Sequence, residues 1–308
     1  MRRWIRGALD ATPYVGRLRA QVRALRRAQG RHPPGHFYSP IPSPEDVARS
    51  LAALEDALPL GIDLDEAGQA ALLEEFAALH DPARFPETPT PGRRFHFAQN
   101  YFGQADAIFL DAFLRRFRPR RVVEVGSGFS TAVMLDARDG GEAGVEELVC
   151  VEPYPERLLS PLAPGDAERM RIEARPVQEA PLETFTRLEA GDLLFIDSSH
   201  VMKCGSDLHH LMFEVPPRLE AGVFVHFHDI LYPFRYPQAW PESGVHWNES
   251  YVLRAFLMGN RDWRVRFWNN FVVARHRKVL VERIPLALRN AGGSLYLEKL
   301  APPAGRDG

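Results

Sequence analysis

Cysteine is scarce: Cys150 and Cys204 are the only two in 308 residues, and they lie in separate segments with no C-x-x-C pair. So few thiols exclude a disulfide framework and a cysteine-based structural zinc site, and they suit a reducing compartment. No apolar run approaches the ~20 residues that cross a bilayer, and the first residues lack the apolar core of a secretory signal. Net charge is nearly absent as well. The 38 basic and 40 acidic residues leave −2, which offers no field for nucleic acid. Internal repeats and low-complexity stretches are missing. What remains is the composition of an ordinary globular protein, 45% hydrophobic and 25% charged, long enough for one large α/β domain with an appendage. The reading is a cytoplasmic protein with no nucleic-acid partner.

That balance hides one local bias. Residues 1 to 32 hold nine arginines against the single acid Asp10, and Leu18, Val22 and Leu25 recur among them at helical spacing. The functional reading is peripheral contact of residues 1–32 with an anionic membrane or partner. The plain alternative is the solvated face of a helix packed on the main domain. Five prolines between Pro33 and Pro44 then prevent regular structure, and Ser43 is placed to cap a helix. A helical pair is expected over residues 45–57 and 64–79. "HDPARFPETPTPGRR" follows and reads as a linker. The expected division is residues 1–90 as a helical appendage, 91–302 as the main domain and 303–308 as a tail.

From about residue 93 strands and helices alternate. "RRVVEVG", "EELVCVEP", "RIEARPV", "GDLLFIDSSH" and "GVFVHFHDI" are short apolar runs, most of them ending in glycine, acid or histidine. Strands buried on both faces of a parallel sheet look like this. A sheet of that kind takes its ligand beyond the carboxyl ends of the strands.

The stretch "VVEVGSGFST" ends the first strand with Glu124 and a turn through Gly126, Ser127 and Gly128. A dinucleotide fold needs G-x-G-x-x-G so that pyrophosphate can rest on a helix N-terminus. Here the third place is Thr131, and Glu124 would repel pyrophosphate while suiting a ligand with positive charge. An NAD-dependent oxidoreductase is the second reading, and a binding module without turnover is the third.

Together, "VVEVGSGFST", "LVCVEP", "GDLLFIDSSHVMKCGSDLHHLMFEVPPRLEAGVFVHFHDI", "NYFGQADA" and "WNESYVLRAFLMGN" resemble the class I S-adenosylmethionine-dependent methyltransferases, in particular the bacterial group called methyltransferase domain family 24. The resemblance covers about residues 95–300. It implies a Rossmann-like, doubly wound, mostly parallel sheet and S-adenosyl-L-methionine held by Glu124, Gly126, Ser127, Gly128 and Asp197. Glu152, 24 positions after Gly128 (152 minus 128), would accept hydrogen bonds from both ribose hydroxyls. Gln178, after the third strand, falls where this fold holds adenine. The activity implied is O-methylation of a small molecule or glycan.

A hydroxyl acceptor must lose its proton, to a general base or with the help of a metal. If the fourth and fifth strands are neighbours, as the resemblance implies, Asp197 meets His228 and Asp229. Metal-dependent O-methyltransferases of this fold place acids or amides there; His228 departs from that pattern. The expected metal set is Asp197, His228 and Asp229 around a Mg- or Mn-type cation, and the expected catalytic set is Asp197, His200, His228 and Asp229. His226 reads as a packed core histidine. The loop 231–247, with Tyr232, Phe234, Tyr236, Trp240 and Trp247 between prolines, is expected to form neither helix nor ladder. Its rings are either packed on the core or laid over the acceptor.

Overall fold

The computed structural model describes residues 13–28, 30–52 and 58–301. Chain contacts divide these into two units. One consists of residues 57–236 with 247–308, the other of residues 1–56 with 237–246. The expected helix over 45–57, the first twelve residues of the basic stretch and the tail 303–308 extend outside the described residues.

The smaller unit holds α1 (Pro13–Ala28) and α2 (Pro44–Ala52). Ser43 caps α2 as expected: the Asp46 amide donates to its Oγ at 3.1 Å, and its own amide donates to the Asp46 carboxylate at 3.0 Å. This unit also contains a one-turn helix, Ala239–Glu242, in the loop expected to have none. Pro241 is tolerated there because the amides of a first turn need no intrahelical acceptor.

In the larger unit, α3 (Glu66–Leu79) and α4 (Gln104–Phe117) precede β1 (Arg121–Val125). There follow α5 (Phe129–Asp139), β2 (Glu147–Val151), β3 (Arg171–Glu173), β4 (Leu193–Ile196), α6 (Asp207–Glu214) and β5 (Phe224–Phe227). The chain closes with α7 (Glu249–Leu257), β6 (Trp263–Trp268) and β7 (Leu295–Lys299). The sheet has seven strands in the order β3-β2-β1-β4-β5-β7-β6. β1 to β5 pair in parallel, and β7 runs antiparallel to both β5 and β6. β1 and β4 are buried almost throughout, so their Val, Leu, Ile and Phe face helices on both sides. Strand order reverses between β1 and β4, which leaves a crevice beyond their carboxyl ends. No helix among the described residues is long and apolar enough to cross a membrane.

The boundary expected near residue 90 falls instead near residue 56, because α3 packs on the sheet. Phe76 meets Phe267 with ring centroids 4.9 Å apart, and Gln69 accepts from the Trp268 amide at 2.8 Å. The proline-rich stretch after α3 is no free linker either. Its arginines are half-buried against carboxylates of the larger unit: Arg84 reaches Asp111 at 2.7 Å, and Arg94 reaches Asp136 at 3.0 Å and Asp166 at 2.6 Å. The stretch holds one 3-10 turn, Pro82–Arg84, and the ion pairs decide where the segment sits.

Candidate active site

Glycine at 126 is a steric requirement. Its φ is +78°, and a Cβ there would lie 1.8 Å from the Asp197 carbonyl oxygen. The ladder brings these backbones together: the Gly126 amide donates to Val151 at 3.1 Å, and the Asp197 amide donates to Val125 at 2.8 Å. The turn then feeds α5, with the Gly128 amide donating to Thr131 Oγ1 at 3.2 Å.

Beneath this turn lies Glu124, fully buried. Ser130 donates its hydroxyl to the carboxylate at 2.6 Å, Thr131 donates to the other oxygen, and the Cys150 thiol lies at 3.6 Å. Burial raises the Glu124 pKa to about 7, with the hydroxyl donors pulling the other way. Thr131 therefore stands where a dinucleotide motif has its third glycine because it ties the buried acid to the turn.

Glu152, at the end of β2, is fixed by two backbone donors. The Ser127 amide reaches one oxygen at 3.2 Å and the Tyr154 amide reaches the other at 2.8 Å. These bonds hold an acid at the rim of a cavity of about 390 Å³. Gly126, Ser127, Gly128, Glu152, Asp197, His200, His228 and Asp229 all line that cavity. Two residues expected at the ligand do not. Glu124 is turned inward to α5, and Gln178 is exposed with its amide donating to the Gly205 carbonyl at 2.9 Å.

His200 is the pivot of the opposite wall. Its Nδ1 lies 2.7 Å from Glu249 Oε2, while Nε2 faces Asp197 Oδ1 at 3.3 Å and Asp229 Oδ2 at 3.8 Å. The backbone is placed as carefully as the ring. His200 has a left-handed φ of 60°, and its carbonyl accepts from the Asn248 and Glu249 amides at the start of α7. Burial alone would lower the His200 pKa, but hydrogen bonds to Asp197 and Glu249 outweigh it and raise the value to about 10. Asp197, partly buried at the cavity wall, is held below its ordinary value, against the opposing effect of desolvation, by His228, His200 and Arg157. Asp229 is raised, by burial and by the charge of Asp197, against the pull of His228.

Asp197, His200 and Asp229 each offer one donor atom, and these atoms lie within 4.8 Å of one another. The expected set Asp197, His228, Asp229 is thus corrected in one member. His228 lines the same cavity but is not one of the three converging donors: its ring is buried against Phe102, ring centroids 5.2 Å apart, with Nε2 3.9 Å from Asp229 Oδ1. Two carboxylates and an imidazole suit a divalent cation. Glu249 behind the imidazole is the carboxylate that a metal-bound histidine commonly has on its other nitrogen.

Glu249 was not among the expected site residues, although "WNESYVLRAFLMGN" contains it. Its signal is an acid on the same helical face as Ser250, Leu253 and Leu257, all buried. Arg157 was missed too: it lines the cavity and stacks over the Tyr101 ring at 4.3 Å. His226 is a core residue as expected, stacked on Phe195 with centroids 3.7 Å apart and with neither ring nitrogen hydrogen-bonded among the described residues. The aromatic loop divides between its two readings. Phe234 packs on Trp268 at 4.5 Å, and Tyr236, buried, accepts from the Ser250 amide at 3.0 Å. Trp247 reaches the cavity, its ring 4.1 Å from that of His200. Trp240 belongs to the smaller unit.

A family model described as a methyltransferase domain matches residues 123–230. An uncharacterized protein of Archaeoglobus fulgidus is 36% identical over 165 residues, spanning 51% of this chain and 73% of that one. Among solved structures, the Podospora anserina methyltransferase PaMTH1 bound to S-adenosylhomocysteine is 15% identical with a TM-score of 0.41, covering 84% of this chain and 98% of that one. The O-methyltransferase TomG of Streptomyces achromogenes in complex with S-adenosylmethionine is also 15% identical, with a TM-score of 0.39 and coverage of 79% and 93%.

Proposed function

This chain belongs to the methyltransferase domain family and is a class I S-adenosylmethionine-dependent methyltransferase; from that premise we propose that it methylates an oxygen of a small molecule or glycan. The observation that carries the reading is the single cavity with two unlike walls. One wall is the glycine turn with Glu152, the other the acids around His200.

On the first wall, bare backbone at Gly126 and Gly128 lets the cofactor approach, and Glu152 accepts from the ribose hydroxyls. Glu124 acts on that wall indirectly, by holding Ser130 and Thr131 and hence the turn. Asp197, common to both walls, faces the cofactor's positive end; Gln178, outside the cavity and bonded to Gly205, has no part in this reading. Methyl transfer then needs an acceptor aligned opposite the sulfur, which is a task of positioning.

On the second wall, Asp197, His200 and Asp229 would hold a Mg- or Mn-type cation, whose charge lowers the pKa of an acceptor hydroxyl. Without a cation, and despite burial, hydrogen bonds to Asp197 and Glu249 hold a proton on His200, its pKa raised to about 10; His200 would give up that proton to offer its Nε2 lone pair to a cation, so metal binding would release a proton. Glu249 fixes the imidazole so that Nε2 points at the two aspartates. His228 sets the field at Asp197 and Asp229. Trp247 covers the histidine and offers its ring to a planar or sugar acceptor.

The same reading includes peripheral contact of the basic N-terminal stretch with a membrane. Equilibrium titration of the protein with S-adenosylmethionine and with NAD tests the cofactor half. Binding of the first and not the second is expected, and tight NAD binding alone would overturn it. Turnover of an oxygen acceptor before and after exhaustive chelation, with Mg and Mn added back, tests the metal half.

A further inference from the structure

The smaller unit carries an apolar stripe on its outside. In α1, Tyr14, Leu18, Val22 and Leu25 follow one another at spacings of 4, 4 and 3 residues, which puts them within about 80° of arc, and all four are exposed. A helix packed through its apolar face would bury these residues. Arg17 and Arg23 on the same helix are exposed too.

The turn after the helix repeats the pattern with aromatics. The Gly35 amide donates to Ile41 at 3.0 Å and the Ser39 amide to His36 at 2.6 Å. The tight loop so formed presents Phe37 at 81% and Tyr38 at 69% exposure, with ring centroids 4.3 Å apart. Phe37 is the most exposed large apolar side chain among the described residues. Charge over the same segment has one sign: residues 13–43 include Arg17, Arg19, Arg23, Arg26, Arg27 and Arg31 and no acid.

We propose that α1 and the Phe37–Tyr38 loop form a docking surface for the headgroup layer of an anionic phospholipid bilayer. Exposed leucines on a basic helix enter the boundary between headgroups and acyl chains, arginines meet anionic headgroups, and Phe and Tyr sit at the interface. An acidic protein would satisfy the arginines but would have to cover two separate apolar elements as well. The inference deepens the peripheral contact proposed for the N-terminal stretch by naming its lipid chemistry and moving its centre to residues 14–38. It is separable from methyl transfer, since none of these side chains lies in the cavity of the larger unit.

The experiment is flotation of the full-length protein with phosphatidylcholine vesicles, with and without about 30 mol% phosphatidylglycerol. Cofactor affinity is measured on every sample as the control for folding. Binding is expected only with the anionic lipid, and it should fall as salt rises from about 0.1 to 0.5 M. Arg17→Ala with Arg23→Ala should weaken it roughly 30-fold. Leu18→Glu with Leu25→Glu, and separately Phe37→Ser with Tyr38→Ser, should each abolish flotation while cofactor affinity stays unchanged. The proposal is overturned by equal recovery on neutral and anionic vesicles, by apolar-face variants that float like the parent, or by retention on an acidic protein or polyanion resin without any vesicle binding. Loss of cofactor binding in the parent protein with flotation intact would strike at the methyltransferase reading and leave this one standing.

Discussion

Glu249 Oε2 lies 2.7 Å from His200 Nδ1, so a residue on α7 orients the imidazole that faces the acids at the ends of β4 and β5. The carboxylate is fully buried, and its other oxygen has no hydrogen-bond partner among the described residues. It serves His200 and stays out of the cavity wall.

Removing that acid should loosen the metal site and spare the cofactor. Glu249→Gln is expected to weaken Mn(II) affinity by roughly ten- to a hundredfold, with an unchanged dissociation constant for S-adenosylmethionine. Electron paramagnetic resonance of free Mn(II) reads the first quantity and calorimetry the second. Equal Mn(II) affinity in the two proteins would remove Glu249 from the site.

Glu152→Ala should lower affinity for S-adenosylmethionine by roughly tenfold or more, through the loss of charge-assisted bonds to the ribose. The fold should survive, because the freed Ser127 and Tyr154 amides are near the cavity and reach water. A dissociation constant equal to that of the parent would mean that β2 does not end at the ribose.

Gly126→Ala should be far more damaging than its size suggests. The added methyl would overlap the Asp197 carbonyl, and φ at this position is positive. A loss of roughly 2 kcal/mol or more is expected, with cofactor binding lost alongside. Denaturant unfolding measures the first, and a stable Ala variant with normal cofactor affinity would contradict the close approach of β1 and β4.

Glu124 makes stability depend on pH. Its folded pKa, about 7, is above the ordinary 4.5, so the folded state binds this proton more tightly than the unfolded state. The contribution is complete below about pH 4.5 and is lost as pH rises through about 7, a change of about 3 kcal/mol. Glu124→Gln removes the titration. The stability of the variant relative to the parent should therefore rise from about pH 5 to about pH 8. Parallel stability curves for the two proteins over that window would count against the buried, proton-sharing acid.

Local pattern made much of the larger unit legible. Short apolar strands such as "VVEV" and "LLFI" announce burial on both faces, and Ser43 and the glycine turn are read from steric and hydrogen-bonding rules that act within a few residues. Gly126, Ser127, Gly128, Glu152 and Asp197 lie at or just past such strand ends and all line the cavity, but it was the family resemblance that singled them out for the cofactor. The apolar spacing of α1 was equally plain, but whether that stripe packs inward or faces out depends on what surrounds it. Its exposure is a property of the folded chain.

The rest was decided at longer range. Whether His200 or His228 completes the convergent set depends on loop backbone at positive φ, at His200 and Asp229, that no periodicity encodes. Glu249 meets His200 across 49 residues of sequence, and Arg94 leads a proline-rich stretch to Asp166 across 72. Sequence by itself determined the strands, the turn and the residue types at the strand ends, because those obey short-range sterics and burial. Only the tertiary structure decided which side chains share one cavity, because that depends on the order of strands in the sheet and on contacts between distant segments.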